Sequence, residues 1–85
     1  MIVDMLQPRL LSVKPIESSK LYLEYETGEK KIFDVRPYIT GTWYGELADA
    51  QYFCTVHLIP GGSGIEWENG QDIAPHELYD NSIMV

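Results

Sequence analysis

The sequence predicts a small α+β domain, an antiparallel β-sheet of hairpins with two short helices. Three observations lead there. KLYLEYETGEKKIFDV alternates in its first arm and is rich in Ile32, Phe33 and Val35 in its second, on either side of Thr27-Gly28, and IEW and QDIA flank Asn69-Gly70. Only two short stretches, ELADAQYFC and PHELY, have helix-compatible patterns. Eighty-five residues supply one core and no second, so residues 1–85 are read as a single domain. Such a domain buries only roughly 60–65% of its unfolded surface. Its expected stability is on the order of 5 kcal/mol, and single core truncations should be felt.

Residues 9–16, RLLSVKPI, read as a strand ending near Pro15, with Leu11 and Val13 on one face. In the first hairpin Leu21, Leu23 and Tyr25 share a face, opposite Tyr22, Glu24 and Glu26. A two-residue Thr27-Gly28 loop would hold β-branched Thr27 at positive φ, which is costly. A three-residue loop, Glu26-Thr27-Gly28, puts only Gly28 in the left-handed region. It also sets Glu24 opposite Lys30, Leu21 opposite Phe33 and Lys20 opposite Asp34, all favourable cross-strand pairs. RPYITGTWYGE has no sustained period and reads as a loop with about one helical turn.

ELADAQYFC places Leu47, Ala50 and Cys54 on one helical stripe, and Glu46 at its start suits the helix dipole. TVHLI reads as a strand stopped by Pro60 and the glycines of PGGSG. Asn69-Gly70 is the strongest two-residue hairpin turn in the chain. Trp67 and Ile73 on its arms are assigned to the core. Pro75 fits the first position of a short helix through Tyr79, where its missing N–H costs nothing; Ala74 is a poor cap for it. The tail NSIMV carries no assignment.

Thirteen acids against six bases give a net charge of −7. That sign repels nucleic-acid backbones and anionic membranes, and it speeds encounter with a basic partner protein. The single cysteine, Cys54, leaves no internal disulfide, and a cytoplasmic location is expected. The start, MIVDMLQPRLL, is too short and too broken by Asp4 and Pro8 for a leader, and no apolar run approaches the ~20 residues of a membrane span.

Few residues suggest chemistry. Cys54 and His57 have C-x-x-H spacing, but a structural zinc site wants four paired ligands, and the only other histidine is His76. Cys54 is therefore assigned to core packing. No motif marks a nucleophile or a cofactor. Glu66 and Glu68 alternate with Ile65 and Trp67, the pattern of a strand with one wet face. PGGSG lacks a lysine and reads as a turn. Tyr38, Trp43 and Tyr44 are the candidate partner-binding residues, because Trp and Tyr are favoured interface anchors and the segment has no periodic apolar face. A rival set, Asp72, His76 and Glu77, would form a shallow pocket for a small ligand or for catalysis. Homodimerisation over an exposed strand edge is a further expectation.

Several stretches together resemble a known family: SVKPI, ETGEKKIFDVRPYI, LADAQYF and above all IEWENGQDIAPHELY. The last is similar to the W-x-N-G-x-D-(I/L)-x-P-x-x-L-Y signature of domain-of-unknown-function family 2442, at Trp67, Asn69, Gly70, Asp72, Ile73, Pro75, Leu78 and Tyr79. The resemblance implies a small bacterial α+β domain, like the N-terminal part of longer members that add a helix-turn-helix. This chain stops short of that extension, so DNA binding is not implied. An antitoxin-like, protein-binding role beside a small neighbouring protein is implied, and no catalytic residues come with the family. The central ITGTWYGE loop and Ala74 depart from the family's usual pattern.

Overall fold

In the computed structural model, which describes residues 7–17 and 19–85, seven strands alternate with short helical turns. The strands are β1 (Leu10–Ile16), β2 (Lys20–Tyr25), β3 (Lys30–Asp34), β4 (His57–Leu58), β5 (Ile65–Glu66), β6 (Asp72–Ile73) and β7 (Ile83–Met84). Two 3₁₀ turns, Arg36–Tyr38 and Tyr44–Ala48, precede helix α1 (Ala50–Phe53), and α2 (Pro75–Asp80) lies between β6 and β7. A four-stranded sheet in the order β1-β2-β3-β7 and a three-stranded sheet β4-β5-β6 are both antiparallel. This is the expected α+β class, with two sheets where one was expected. The leader reading bears largely on residues 1–6, outside the described part.

The first hairpin takes the three-residue register. Glu24 faces Lys30, Leu21 faces Phe33 and Lys20 faces Asp34. The loop closes by Tyr25 N–H to Glu29 O and Gly28 N–H to Tyr25 O, both 2.9 Å, with Gly28 at φ 92°. The second hairpin repeats this loop and corrects the two-residue turn. Trp67 N–H donates to Gln71 O and Gly70 N–H to Trp67 O, both 2.9 Å, so Glu68-Asn69-Gly70 is the loop. Gly70 at φ 98° takes the left-handed position, and Asn69 keeps a negative φ. A side chain prefers that arrangement to the two positive φ values of a two-residue type I′ turn.

Three further expectations are corrected. Leu11 does not share a buried face with Val13. The register slips between Leu10 and Ser12, so Leu11 is the extra residue of a β-bulge, 59% exposed, and Leu10 takes the core position. The helix over ELADAQYFC breaks at Asp49, whose carboxylate accepts the N–H groups of Gln51 and Tyr52 and starts α1 afresh. Leu47 and Phe53 are buried while Ala50 and Cys54 are exposed, so Cys54 is not a core residue. The tail does have a place: Ile83 and Met84 pair with Ile32 and Lys31 of β3.

The core lies between the sheets. Leu21, Leu23, Tyr25, Phe33 and Val35 of the larger sheet meet Ile65, Trp67 and Ile73 of the smaller one, with Leu47, Phe53 and Leu78 closing the ends. Trp67 is its largest fully buried side chain, and its indole N–H donates to Phe53 O at 2.9 Å. Lys31 is also buried. Its ammonium donates to Tyr79 O at the end of α2 (2.8 Å) and lies 3.8 Å from the centre of the Tyr79 ring. The charge thus serves the C-terminal carbonyls of α2 and a cation–π contact together. As expected, Pro75 opens α2 and Ala74 provides no side-chain cap.

One buried group is left over. The Tyr25 hydroxyl has no hydrogen-bond partner among the described residues. Burial first, and then the neighbouring Tyr79, Glu29 and Asp80, hold its phenol well above the usual ionisation range. An unpaired buried hydroxyl costs stability. Tyr25→Phe is therefore expected to match or exceed the wild type by up to about 1 kcal/mol in urea unfolding. A loss of similar size would show that the hydroxyl is bonded in solution.

Candidate protein-binding groove

The segment carrying Trp43 leads into the 3₁₀ turn Tyr44–Ala48, and a polar network centred on buried Gln71 holds it. Gln71 is completely buried and fully satisfied. Its amide N–H groups donate to Trp43 O (3.0 Å) and to Glu46 Oε1 (2.6 Å), and its carbonyl accepts from the Tyr52 hydroxyl (2.6 Å). Asn69 completes the network, donating its side-chain amide to Glu46 Oε1 (3.0 Å) and its backbone N–H to the Tyr52 hydroxyl (2.7 Å). The hairpin loop thereby fixes both the main chain at Trp43 and the carboxylate that follows it. Trp43 itself is 53% exposed and tilts against Tyr44, ring centres 6.0 Å apart.

Tyr44 also lines an open groove of about 450 Å³, together with Tyr38, Asp72, Ile73, Glu77, Pro37, Thr40 and Ala74. The Tyr44 hydroxyl donates to Asp72 O (2.9 Å), and the Tyr38 hydroxyl donates to Glu77 Oε2 (2.8 Å). Burial and then the Glu77 carboxylate push the Tyr38 phenol above its ordinary value, so it stays a protonated donor at neutral pH. Asp72 is exposed, its carboxylate does not cap α2, and no ion pair among the described residues involves Asp72 or Glu77. The two acids face the groove without a cation.

Of the three aromatic residues singled out in the sequence, Tyr38 and Tyr44 line this groove; Trp43 does not, and is joined to it only through its ring contact with Tyr44. The rival set is not brought together. Asp72 and Glu77 line the groove, but His76 is exposed on α2 and does not. Gln71, which holds the loop, was missed by sequence reasoning, because a single glutamine beside a turn carries no local signal. A second missed feature was readable. Residues 37–85 contain seven Asp and Glu and no Lys or Arg, whereas residues 1–36 balance six against six. The whole net charge of −7 therefore belongs to the part of the chain that carries Trp43 and supplies nearly the entire groove.

The remaining signature residues are structural. Trp67 and Leu78 fill the core, Gly70 makes the turn, and Pro75 starts α2. The Tyr79 hydroxyl donates to Glu29 at 2.7 Å. Among the described residues no group of three or more His, Cys, Asp or Glu side chains could hold a metal ion, and no helix is long and apolar enough to cross a membrane.

On the smaller sheet His57 faces Glu66, ring nitrogen to carboxylate 3.1 Å, and its other nitrogen lies 3.1 Å from Thr55 O. The Thr55 carbonyl first, and then Glu66, raise the imidazole above its usual value. A raised folded-state value adds stability that is fully present below the unfolded value of about 6.5 and is lost as pH rises through the folded one. The pair is exposed, so the gain is small. In an NMR titration the His57 midpoint should lie above about 6.5 and fall in Glu66→Gln. An unchanged midpoint in that variant would remove Glu66 as a cause.

Fold and groove define a class: small antiparallel α+β proteins that present an exposed tryptophan beside an acidic groove. The sequence model of the family DUF2442, proteins of unknown function, matches residues 10–83, nearly the whole chain, and the chain belongs to that family. No curated protein and no solved structure matches it at a significant level.

Proposed function

We propose that this protein is a cytoplasmic, non-enzymatic protein-binding module whose Trp43 edge and acidic groove receive a basic segment of a partner protein. The observation that carries this reading is an exposed tryptophan held by a network centred on buried Gln71, next to a groove whose two carboxylates form no ion pair among the described residues. A large aromatic left in water is costly for a monomer, and Trp is the most favoured interface anchor. A lysine or arginine from outside would find two carboxylates and two aromatic walls, a combination that supports charge-assisted hydrogen bonds and cation–π contact. The absence of Lys and Arg from residues 37–85 gives such a segment an unopposed field to approach. An antitoxin-like role, neutralising a small basic neighbour, is one biological form of this activity.

A phage-displayed random peptide library tests the reading. Selected peptides should be rich in Arg or Lys next to an apolar residue. Their affinity should fall about tenfold or more in Trp43→Ala and in Asp72→Asn/Glu77→Gln, and should weaken with added salt. Binders that lack basic residues, or that keep their affinity in both variants, would refute it.

A further inference from the structure

We propose that the outer face and free β7 edge of the four-stranded sheet form a docking surface for a second copy of this chain. Among the described residues six large apolar side chains are exposed, and five of them lie on or directly after the two edge strands: Leu11 and Ile16 on β1, and Ile83, Met84 and Val85 at β7. Ile83 is 74% exposed. The register continues its position inward, since Ile83 faces Ile32 and Ile32 faces Tyr22. These residues alternate with the core-facing Leu21, Leu23 and Phe33, so the row runs across the side of the sheet turned away from the core. Beside it a hollow of about 270 Å³ is lined by Lys20, Ile32, Asp34, Asn81, Ile83 and Met84. A protruding side chain from another molecule has a place to go.

Charge selects the occupant. Two chains of net charge −7 repel each other over most of their surface. This face is the exception: Lys14, Lys20 and Lys30 stand among Glu24 and Asp34, and residues 81–85 carry no charged side chain. A basic protein would gain nothing here, and an acidic one would gain little. A second copy can approach with its own balanced face while both acidic grooves stay clear. Among the described residues β7 pairs on one side only, and a two-fold axis beside it would pair β7 with its mate antiparallel and join the two sheets. Each exposed Ile83–Met84 pair then lies near the hollow of the other copy. This surface is independent of the Trp43 groove.

Sedimentation velocity on the full chain, from about 1 to about 500 μM, reads the result directly. The mass should double across that range. Ile83→Glu should raise the concentration of half-association about tenfold or more. Because that change could unpair β7 from β3, Tyr22→Lys, in the same row but on β2, which does not pair with β7, should act in the same direction. Trp43→Ala should leave the dimer as it is. A monomer at the highest concentration overturns the proposal. So does a dimer that both sheet variants leave intact or that Trp43→Ala dissolves.

Discussion

Trp67→Ala is expected to leave the chain largely unfolded at room temperature. The indole is 1% exposed, packs on Phe53 with ring centres 5.7 Å apart, and donates its N–H to the Phe53 carbonyl. Truncation therefore opens a cavity between the sheets and removes the shorter of the two hydrogen bonds to the Phe53 carbonyl, leaving the 3.4 Å bond from Val56 N–H. Phe or Trp to Ala in a core costs about 3–5 kcal/mol, comparable with the whole stability of about 5 kcal/mol expected for a domain this small. Trp67→Phe keeps most of the volume and loses the hydrogen bond, so it should remain folded with a lower urea midpoint. The check is the pair of unfolding curves. A cooperative transition for Trp67→Ala within about 1 kcal/mol of wild type would mean the core lies elsewhere.

Gln71→Leu should give the second-largest effect, and of a different kind. Leucine fills the space but takes away the acceptor of the Tyr52 O–H, the shorter of the two hydrogen bonds to the Trp43 carbonyl (the Glu46 N–H keeps the other) and the closest donor to Glu46. A buried polar group without its partner costs about 1–3 kcal/mol, so a loss of about 2 kcal/mol is expected, with the fold retained. The more informative consequence concerns Trp43. Freed from Gln71, the loop 43–46 should gain mobility, seen as faster amide exchange there than in the hairpin β2–β3. In a Trp67→Phe background Trp43 is the sole indole, and its fluorescence anisotropy should fall when Gln71 is replaced. Unchanged exchange and anisotropy would show that the loop is held by something other than this network.

The parts of this fold that were legible in sequence are those decided locally. The first hairpin's register follows from the strain on Thr27 and from the pairing of Glu24 with Lys30, all within eleven residues. Pro75 and the apolar Leu78 announce α2 in the same way. The misread parts depend on events that periodicity does not see. A bulge moved Leu11 out by one position, and a single capping carboxylate at Asp49 split one expected helix into a 3₁₀ turn and α1. Pairing of β7 with β3 joins residues more than fifty apart, and nothing in Ile83-Met84 points to Lys31-Ile32. For the groove, the aromatic half was visible as Tyr38, Trp43 and Tyr44, and Asp72 and Glu77 were singled out as a rival site. Only the tertiary fold shows them to be one place, because it lays α2 and the start of β6 against the loop following β3.

That convergence makes the fold signature of the C-terminal hairpin and helix a support for the Trp43 loop: Asn69 and Gln71 hold the Trp43 segment, and the Asp72 carbonyl holds Tyr44. The most direct test of the central claim is in-cell photo-crosslinking with a benzophenone side chain in place of Thr40, which lines the groove, and in place of Cys54, which does not. The expected result is a discrete crosslinked product from position 40, formed through a Lys- or Arg-rich peptide of its partner and lost in Asp72→Asn/Glu77→Gln. A product from position 54 alone, or one from position 40 that survives neutralisation of both carboxylates, would contradict it.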